Sequence, residues 1–317
     1  MTALGIDIGG TEIKAGRVDE AGQIAASARA ATPSNLDAMR QALLSLVREL
    51  ASSGPPPAGV GVGCKGIVNP ETTLVEVLPG TVSFLEGQVL RDLIAPALPS
   101  GTAVAADNDA RAAMAGEMKW GAARGRANAL MLTLGTGLGG AVVAENRLLR
   151  GTTGVAGHLG HITVDPDGPS CICGNHGCLE TFFSARAIEA EAFAIAHRGC
   201  ASRLTTLFRQ DASALNCEAV FQAARDGDEL AQRIVGRATR ALGAALAGLL
   251  HVFDPEVVIL GGSIADAGDP LFDALKLETA WRTRRLLRRE VPIVRPRVTG
   301  EAGIIGAAAL VLAGRPA

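Results

Sequence analysis

Two glycine-rich turns, each set between a pair of short apolar runs, constrain this chain more than any other feature. Residues 3–8 and 13–18 flank Gly9-Gly10-Thr11-Glu12, and residues 129–134 and 139–144 flank a Gly135-Thr136-Gly137 turn. Short apolar runs joined by such turns read as tight β-hairpins. Glycine lets backbone N–H groups come close to an anion and present themselves as a concave nest. One such turn is weak evidence. A strand–turn–strand unit opening each half of a 317-residue chain is a pattern: two lobes clasping one polyphosphate.

The remaining chain alternates strands and helices. Residues 23–30 read as a third strand. Residues 35–51 place Ala38, Met39, Ala42, Leu43, Leu46, Val47 and Leu50 at helical spacing, closed by Ser-Ser-Gly-Pro-Pro-Pro. Strands are expected at 58–62 and 104–107, with a helix at 110–120. A polar Gly/Arg stretch at 121–126 reads as a domain boundary. Helices follow at 184–197 and, with breaks, at 218–253. A strand at 256–260 runs into Gly261-Gly262-Ser263, and a small-residue helix occupies 303–313.

Composition narrows the partners. The chain is 48% apolar and 20% charged, an ordinary globular mixture, and its net charge of −2 argues against a general affinity for nucleic acid or membrane. Aromatics make up 3% with no tyrosine, so base-stacking platforms are not expected. The run Arg282, Arg284, Arg285, Arg288, Arg289 reads as a solvated helix face with Leu286 and Leu287 turned inward. No secretory signal and no bilayer-length apolar run is evident, so a reducing cytoplasm is the expected compartment. There, clustered cysteines are metal ligands or redox groups more often than disulfides. Isolated Cys200 and Cys217 read as small buried hydrophobes.

Residues 158–180 hold such a cluster. Cys171, Cys173 and Cys178, with His161 ten residues upstream, supply one imidazole and three thiolates, the ligand set of a closed tetrahedral zinc site. His176, between the second and third cysteines, competes for the fourth position. The surrounding Gly, Pro, Asp and Asn predict an irregular loop that a metal would hold rigid, aiming Glu180 at a defined place.

Taken together, DIGGTEIK at 7–14, DNDA at 107–110, LGTGLGG at 134–140, the His161/Cys171/Cys173/Cys178 loop, VVILGGS at 257–263 and EAGIIGAA at 301–308 resemble the ROK family of bacterial sugar kinases and sugar-responsive repressors, within the actin-like ATPase (hexokinase) superfamily. The resemblance runs from Ile6 to Ala308. It implies an α/β two-lobe actin-like ATPase (ribonuclease H-like) fold with an interlobe cleft where ATP and a sugar meet. The N-terminal lobe is then 1–120, completed by 301–317, and the C-terminal lobe 121–300. The implied activity is ATP-dependent phosphorylation of a hexose 6-hydroxyl, glucokinase-like, with N-acetylglucosamine, N-acetylmannosamine, mannose or fructose as alternative substrates.

The resemblance also assigns residues. Gly9, Gly10 and Thr11 would cradle the outer phosphates with Lys14 nearby, and Asp7 would hold Mg²⁺ through water, since that ion keeps much of its hydration. Gly135, Thr136 and Gly137 would add donors from the other lobe, and Gly261 and Gly262 would let the nucleotide approach. Asp109 would be the base at the 6-hydroxyl, because phosphoryl transfer needs chiefly positioning, charge stabilisation and one proton acceptor. Asn108, Gly66, His158, His161 and Glu180 would face the sugar. His161 is the family's zinc ligand, leaving His176 as a surface histidine, and the zinc is structural. A homodimer or homotetramer is expected.

Three positions depart from the family pattern. His158 stands where glutamate is usual, so it either reads sugar hydroxyls differently or stays out of the pocket. Cys64-Lys65-Gly66 replaces a common Pro-Gly and adds a cation, read as a solvent-facing loop lysine or an anion ligand. Asp109-Ala110-Arg111 replaces Asp-Ala-Asn, which puts the packing of the helix start in question. Repressors of the family carry a helix-turn-helix domain ahead of the first phosphate motif. Only six residues precede Asp7 here, which disfavours that reading, and the presence of Asp7, Lys14 and Asp109 disfavours a silent sugar-binding paralogue.

Overall fold

The first glycine turn closes a hairpin between β1 (Thr2–Ile8) and β2 (Glu12–Asp19), as its sequence predicts, with Gly9 N–H donating to Glu12 O across 3.1 Å. The computed structural model describes residues 1–312. Strand β3 (Ile24–Ala31) extends the hairpin antiparallel, while β4 (Gly59–Cys64) and β7 (Ala103–Asn108) add parallel strands, giving the order β3-β2-β1-β4-β7. A short ribbon of β5 (Ile67–Val68) and β6 (Val75–Val77) lies between them in sequence.

Two helices cover this sheet for different reasons. Helix α1 (Leu36–Ser52) is capped by Asn35, whose side chain accepts from Ala38 N–H, and it buries Met39, Leu43, Leu46, Val47 and Leu50 against Leu4, Ile6, Ile8 and Val62. Burial of each such side chain contributes roughly 1.5–3 kcal/mol. Helix α9 (Ala302–Leu312) lies so close that a Cβ on Gly5 would sit 1.9 Å from Ile304 O, and one on Gly61 1.7 Å from Ala307 O. The strand glycines are therefore the sequence's provision for backbone-to-backbone approach. Of the helix expected at 303–313, Ala313 lies outside the described residues, as do residues 313–317 of the predicted N-terminal lobe.

Helices α2 (Leu90–Ile94) and α3 (Asp109–Trp120) complete the early chain. Strand β8 (Ala129–Leu134) leads through the second glycine turn into β9 (Leu138–Ala144), which pairs with the short β10 (Arg147–Leu148). Helices α4 (Ala185–His197), α5 (Arg203–Gln210), α6 (Cys217–Arg225) and α7 (Glu229–Phe253) follow, then β11 (Val257–Gly261), α8 (Asp269–Thr283) and β12 (Ile293–Val294). Strand β11 runs parallel to both β8 and β12. The result is an α/β fold.

The chain forms two units. The first holds 1–127, 141–157 and the described residues from 296 onward; the second holds 128–140 and 158–295. The change at 127/128 falls directly after the polar 121–126 stretch. Residues 141–157, read from sequence as part of the C-terminal lobe, belong to the first unit, where Arg111 holds them by donating to Gly154 O and Ala156 O.

Two expectations are corrected. Helix α8 ends at Thr283, so the arginine run continues into a turn and not along a helix face, and Leu286 is 78% exposed. Cys217 is buried as expected, but Cys200 is exposed.

Candidate active site

In the first unit the candidate residues collect where β1, β4 and β7 end. Parallel register sets Ile8, Cys64 and Asn108 in one row across the three strands. The next residues along the chain are Gly9, Lys65 and Asp109. Asn108 is the N-cap of α3, its Oδ1 accepting from Ala110 N–H at 3.0 Å. Its amide nitrogen donates to Gly66 O at 3.0 Å, so half of this side chain's hydrogen-bonding capacity holds the scaffold. Gly66 itself has a φ of +79°, and a Cβ there would meet Val77 O at 2.2 Å. Asp109 Oδ1 also accepts from Ala110 N–H, at 2.9 Å.

Asp7 lies opposite Lys14 in the hairpin register. Its pKa is raised from 3.8 to about 6, first by burial and then by the charge of Asp109, with Glu301 adding and Lys14 and Lys65 opposing. Asp7 and Asp109 are thus near enough to feel each other, and a carboxylate pair in that situation invites a cation. Gly303, at the start of α9, abuts Asp7: a Cβ there would lie 2.2 Å from its Oδ2. Lys14 Nζ is 3.4 Å from Glu301 Oε2, and Arg29 also pairs with Glu301. Both backbone groups of Gly9 are committed, its N–H to Glu12 O and its carbonyl to the Thr32 hydroxyl. The turn therefore offers an anion the amides of Gly10 and Thr11, not that of Gly9.

In the second unit, Gly135 N–H donates to Gly137 O at 3.0 Å, which closes the second turn, and Gly135 O accepts from Ala185 N–H at 2.8 Å. Glu180 Oε2 accepts from Leu138 N–H at 2.7 Å. A Cβ on Gly137 would sit 2.6 Å from that oxygen. The sequence assigned Gly137 to phosphate and Glu180 to sugar; the structure brings them into contact. Gly262, at φ +88°, packs on Leu134, where a Cβ would meet the carbonyl oxygen at 2.4 Å, and Gly261-Gly262 leads only into a short 3-10 turn, Ser263–Ala267.

The ligand atoms of His161, Cys171, Cys173 and Cys178 all lie within 4.8 Å of one another. Cys173 Sγ is 3.6 Å from Cys178 Sγ, and Cys171 Sγ is 3.5 Å from His161 Nδ1. A tetrahedral zinc with ordinary Zn–S and Zn–N bonds needs ligand separations of roughly 3.5–3.8 Å. The four groups fit such an ion. Burial, then the neighbouring Cys173 and Cys171 sulfurs, push the Cys178 thiol up to about 12, a cost that a bound cation removes. His176 instead has its Nδ1 3.3 Å from Ser170 Oγ, outside the cluster. His158 and His161 stack at 6.5 Å between ring centroids.

Sequence reasoning missed the role of Arg111. Its side chain is fully buried and its Nε pairs with Asp107 Oδ1. The i,i+4 spacing of Asp107 and Arg111 was the available signal.

The ROK family pattern matches residues 3–313. A glucokinase of Streptomyces coelicolor is 36% identical over 310 residues, 97% of this chain and 96% of that one. An N-acetylmannosamine kinase of Citrobacter koseri is 32% identical over 323 aligned positions, 98% of each chain. The crystal structure of a ROK family glucokinase from Streptomyces griseus in complex with glucose and AMPPNP superposes with a TM-score of 0.84 at 32% identity, covering 99% of this chain and 100% of that one.

Proposed function

The chain belongs to the ROK family and is an ATP-dependent sugar kinase with the two-lobe actin-like ATPase fold, and from that premise we propose that it phosphorylates glucose at the 6-hydroxyl. The observation that carries the reading is the convergence of Asp7, Lys14 and Asp109 at one edge of a single sheet, at the ends of β1, β2 and β7, with Asp7 sensing the charge of both partners. Asp109 accepts the hydroxyl proton as the sugar oxygen attacks the terminal phosphorus. Gly10 and Thr11 offer amides, and Lys14 a cation, to the phosphates. Gly135, Thr136 and Gly137 of the second glycine turn offer donors to phosphate, and Gly261-Gly262 offers backbone to the nucleotide.

Asp7 would hold Mg²⁺, which supplies charge neutralisation of the phosphates when bound. His161, Cys171, Cys173 and Cys178 would hold a structural zinc that fixes the loop. With Nδ1 turned to the metal cluster, His161 keeps Nε2 for a sugar hydroxyl. Asn108, Gly66, His158 and Glu180 complete the sugar contacts. The same reading makes the protein a cytoplasmic homodimer or homotetramer.

N-acetylmannosamine is the second reading, favoured by that kinase's likeness, while His158 bears on which hydroxyls are read under either reading. Neutral imidazole offers one donor and one acceptor, while carboxylate only accepts. A coupled ADP-release assay across glucose, mannose, fructose, N-acetylglucosamine, N-acetylmannosamine and allose tests both. Glucose should give the highest kcat/KM, and Asp109→Ala should reduce turnover by about 10³-fold with the fold intact. Full turnover by that variant would remove Asp109 from its role.

A further inference from the structure

Strand β4 is the middle of the three parallel strands that end at the candidate site, flanked by β1 on one side and β7 on the other. Because Ile8, Cys64 and Asn108 share a row, Lys65 leaves the sheet between Gly9 of the phosphate turn and Asp109. Its side chain turns toward the phosphate turn. A Cβ built on Gly10 would lie 3.3 Å from Lys65 Nζ and 2.8 Å from Thr81 Oγ1. The charge of Lys65 also reaches inward, opposing the upward shifts of Asp7 and Cys64.

The two lysines at this turn are not equivalent. Lys14 is paired with Glu301, a carboxylate it shares with Arg29. Lys65 makes no ion pair among the described residues, and its side chain is exposed. An unneutralised ammonium beside an amide-bearing glycine, one strand from a carboxylate, is what an oxyanion of developing charge needs. The bland alternative, a lysine solvated in a loop, does not account for its direction toward Gly10.

We infer that Lys65 is a catalytic ligand of the phosphoryl group in transit, a role resting on the sugar-kinase reading. In the transfer, the sugar oxygen forms its bond to the terminal phosphorus while the bond from phosphorus to the bridging oxygen breaks. The electron pair of that bond leaves on ADP, and the hydroxyl proton goes to the Asp109 carboxylate. Lys65 transfers no proton and donates hydrogen bonds to the phosphoryl oxygens, whose charge is spread over three equatorial positions.

The test compares Lys65→Met and Lys65→Arg with the unaltered enzyme, using Mg-ATP and the best sugar of the panel. Thermal unfolding checks that each variant folds. Lys65→Met should lower kcat about 100-fold while sugar KM moves less than about threefold, and Lys65→Arg should keep more than about a tenth of the wild-type rate. A kcat within about twofold of wild type, or a loss confined to sugar KM, overturns the inference. Binding of inorganic tripolyphosphate to wild type and Lys65→Met at low salt gives a second readout. It should weaken about tenfold in the variant, and equal affinities would also overturn the inference. If the wild type turns over no sugar at all, the kinase reading fails, yet the tripolyphosphate comparison still reports on Lys65.

Discussion

Arg111 Nε lies 2.5 Å from Asp107 Oδ1, and the two side chains are 0% and 1% exposed. The second oxygen of Asp107 accepts from Arg150 Nε at 2.9 Å, and its first also takes the Asn108 N–H at 2.8 Å. Arg111 Nη1 continues to Gly154 O and Ala156 O. One buried carboxylate, two residues before Asp109, thereby ties the start of α3 to the 150–157 segment. An asparagine at position 111 would be too short to reach Gly154 O and Ala156 O, so the length and charge of arginine are what fix this helix start.

Removing one member of a buried pair leaves the other charge uncompensated. Arg111→Ala is therefore expected to destabilise the fold by about 3 kcal/mol or more. Urea denaturation midpoints measure it. A loss below about 1 kcal/mol would show that Asp107 finds water or Arg150 an adequate substitute.

Asp7 supplies a pH dependence with a definite sign. Its folded pKa of about 6 exceeds the ordinary 3.8, chiefly through burial and secondly through Asp109. Between those values the folded protein holds a proton that the unfolded chain has released, so stability is present below about pH 4 and declines as pH rises through 6. Asp7→Asn should remove that decline and raise ligand-free stability at pH 7.5 by about 1–2 kcal/mol, after allowance for solvent screening, while abolishing turnover. Melting temperatures at pH 5.0 and 7.5 check it; a parallel pH response in variant and wild type would count against the raised pKa.

The zinc reading separates two histidines. Protein purified without chelator should carry one metal per chain by elemental analysis, and Cys178→Ser should lose it along with several degrees of thermal stability. His176→Ala should keep the metal and His161→Ala should not. The opposite result for the two histidines would reassign the fourth ligand.

Much of this architecture was legible because its signals are local. The hairpins at Gly9-Gly10 and Gly135-Thr136-Gly137, the helix read at 35–51 and the Cys₃His spacing each follow from turn chemistry, periodicity or ligand count. What escaped was set by distant contacts. The strand expected at 58–62 is present, but the purpose of its glycines shows only with the helices in place: Gly61 has no room for a methyl against Ala307 O of α9, and a Cβ on Gly63 would touch Ala112 of α3 at 3.5 Å. Lys65 was visible as a cation, but no periodicity says that its side chain turns to Gly10. The arginine run misled because α8 stops at Thr283 and leaves Leu286 in solvent.

Gly137 and Glu180 give the most direct test of the second turn. The Glu180 carboxylate accepts from Leu138 N–H and occupies the space a Cβ on residue 137 would need, 2.6 Å from Oε2. Alanine at 137 must push the carboxylate away, breaking a charge-assisted hydrogen bond whose donor then faces a methyl. Gly137→Ala should therefore raise KM for sugar and for ATP together, by about tenfold each, since one turn carries both contacts. Glu180→Gln separates the two: the amide can still accept from Leu138 N–H and leaves the turn closed, so the ATP KM should hold while the sugar KM rises. Steady-state kinetics in both substrates checks it. An ATP KM unchanged in Gly137→Ala would detach this turn from the nucleotide.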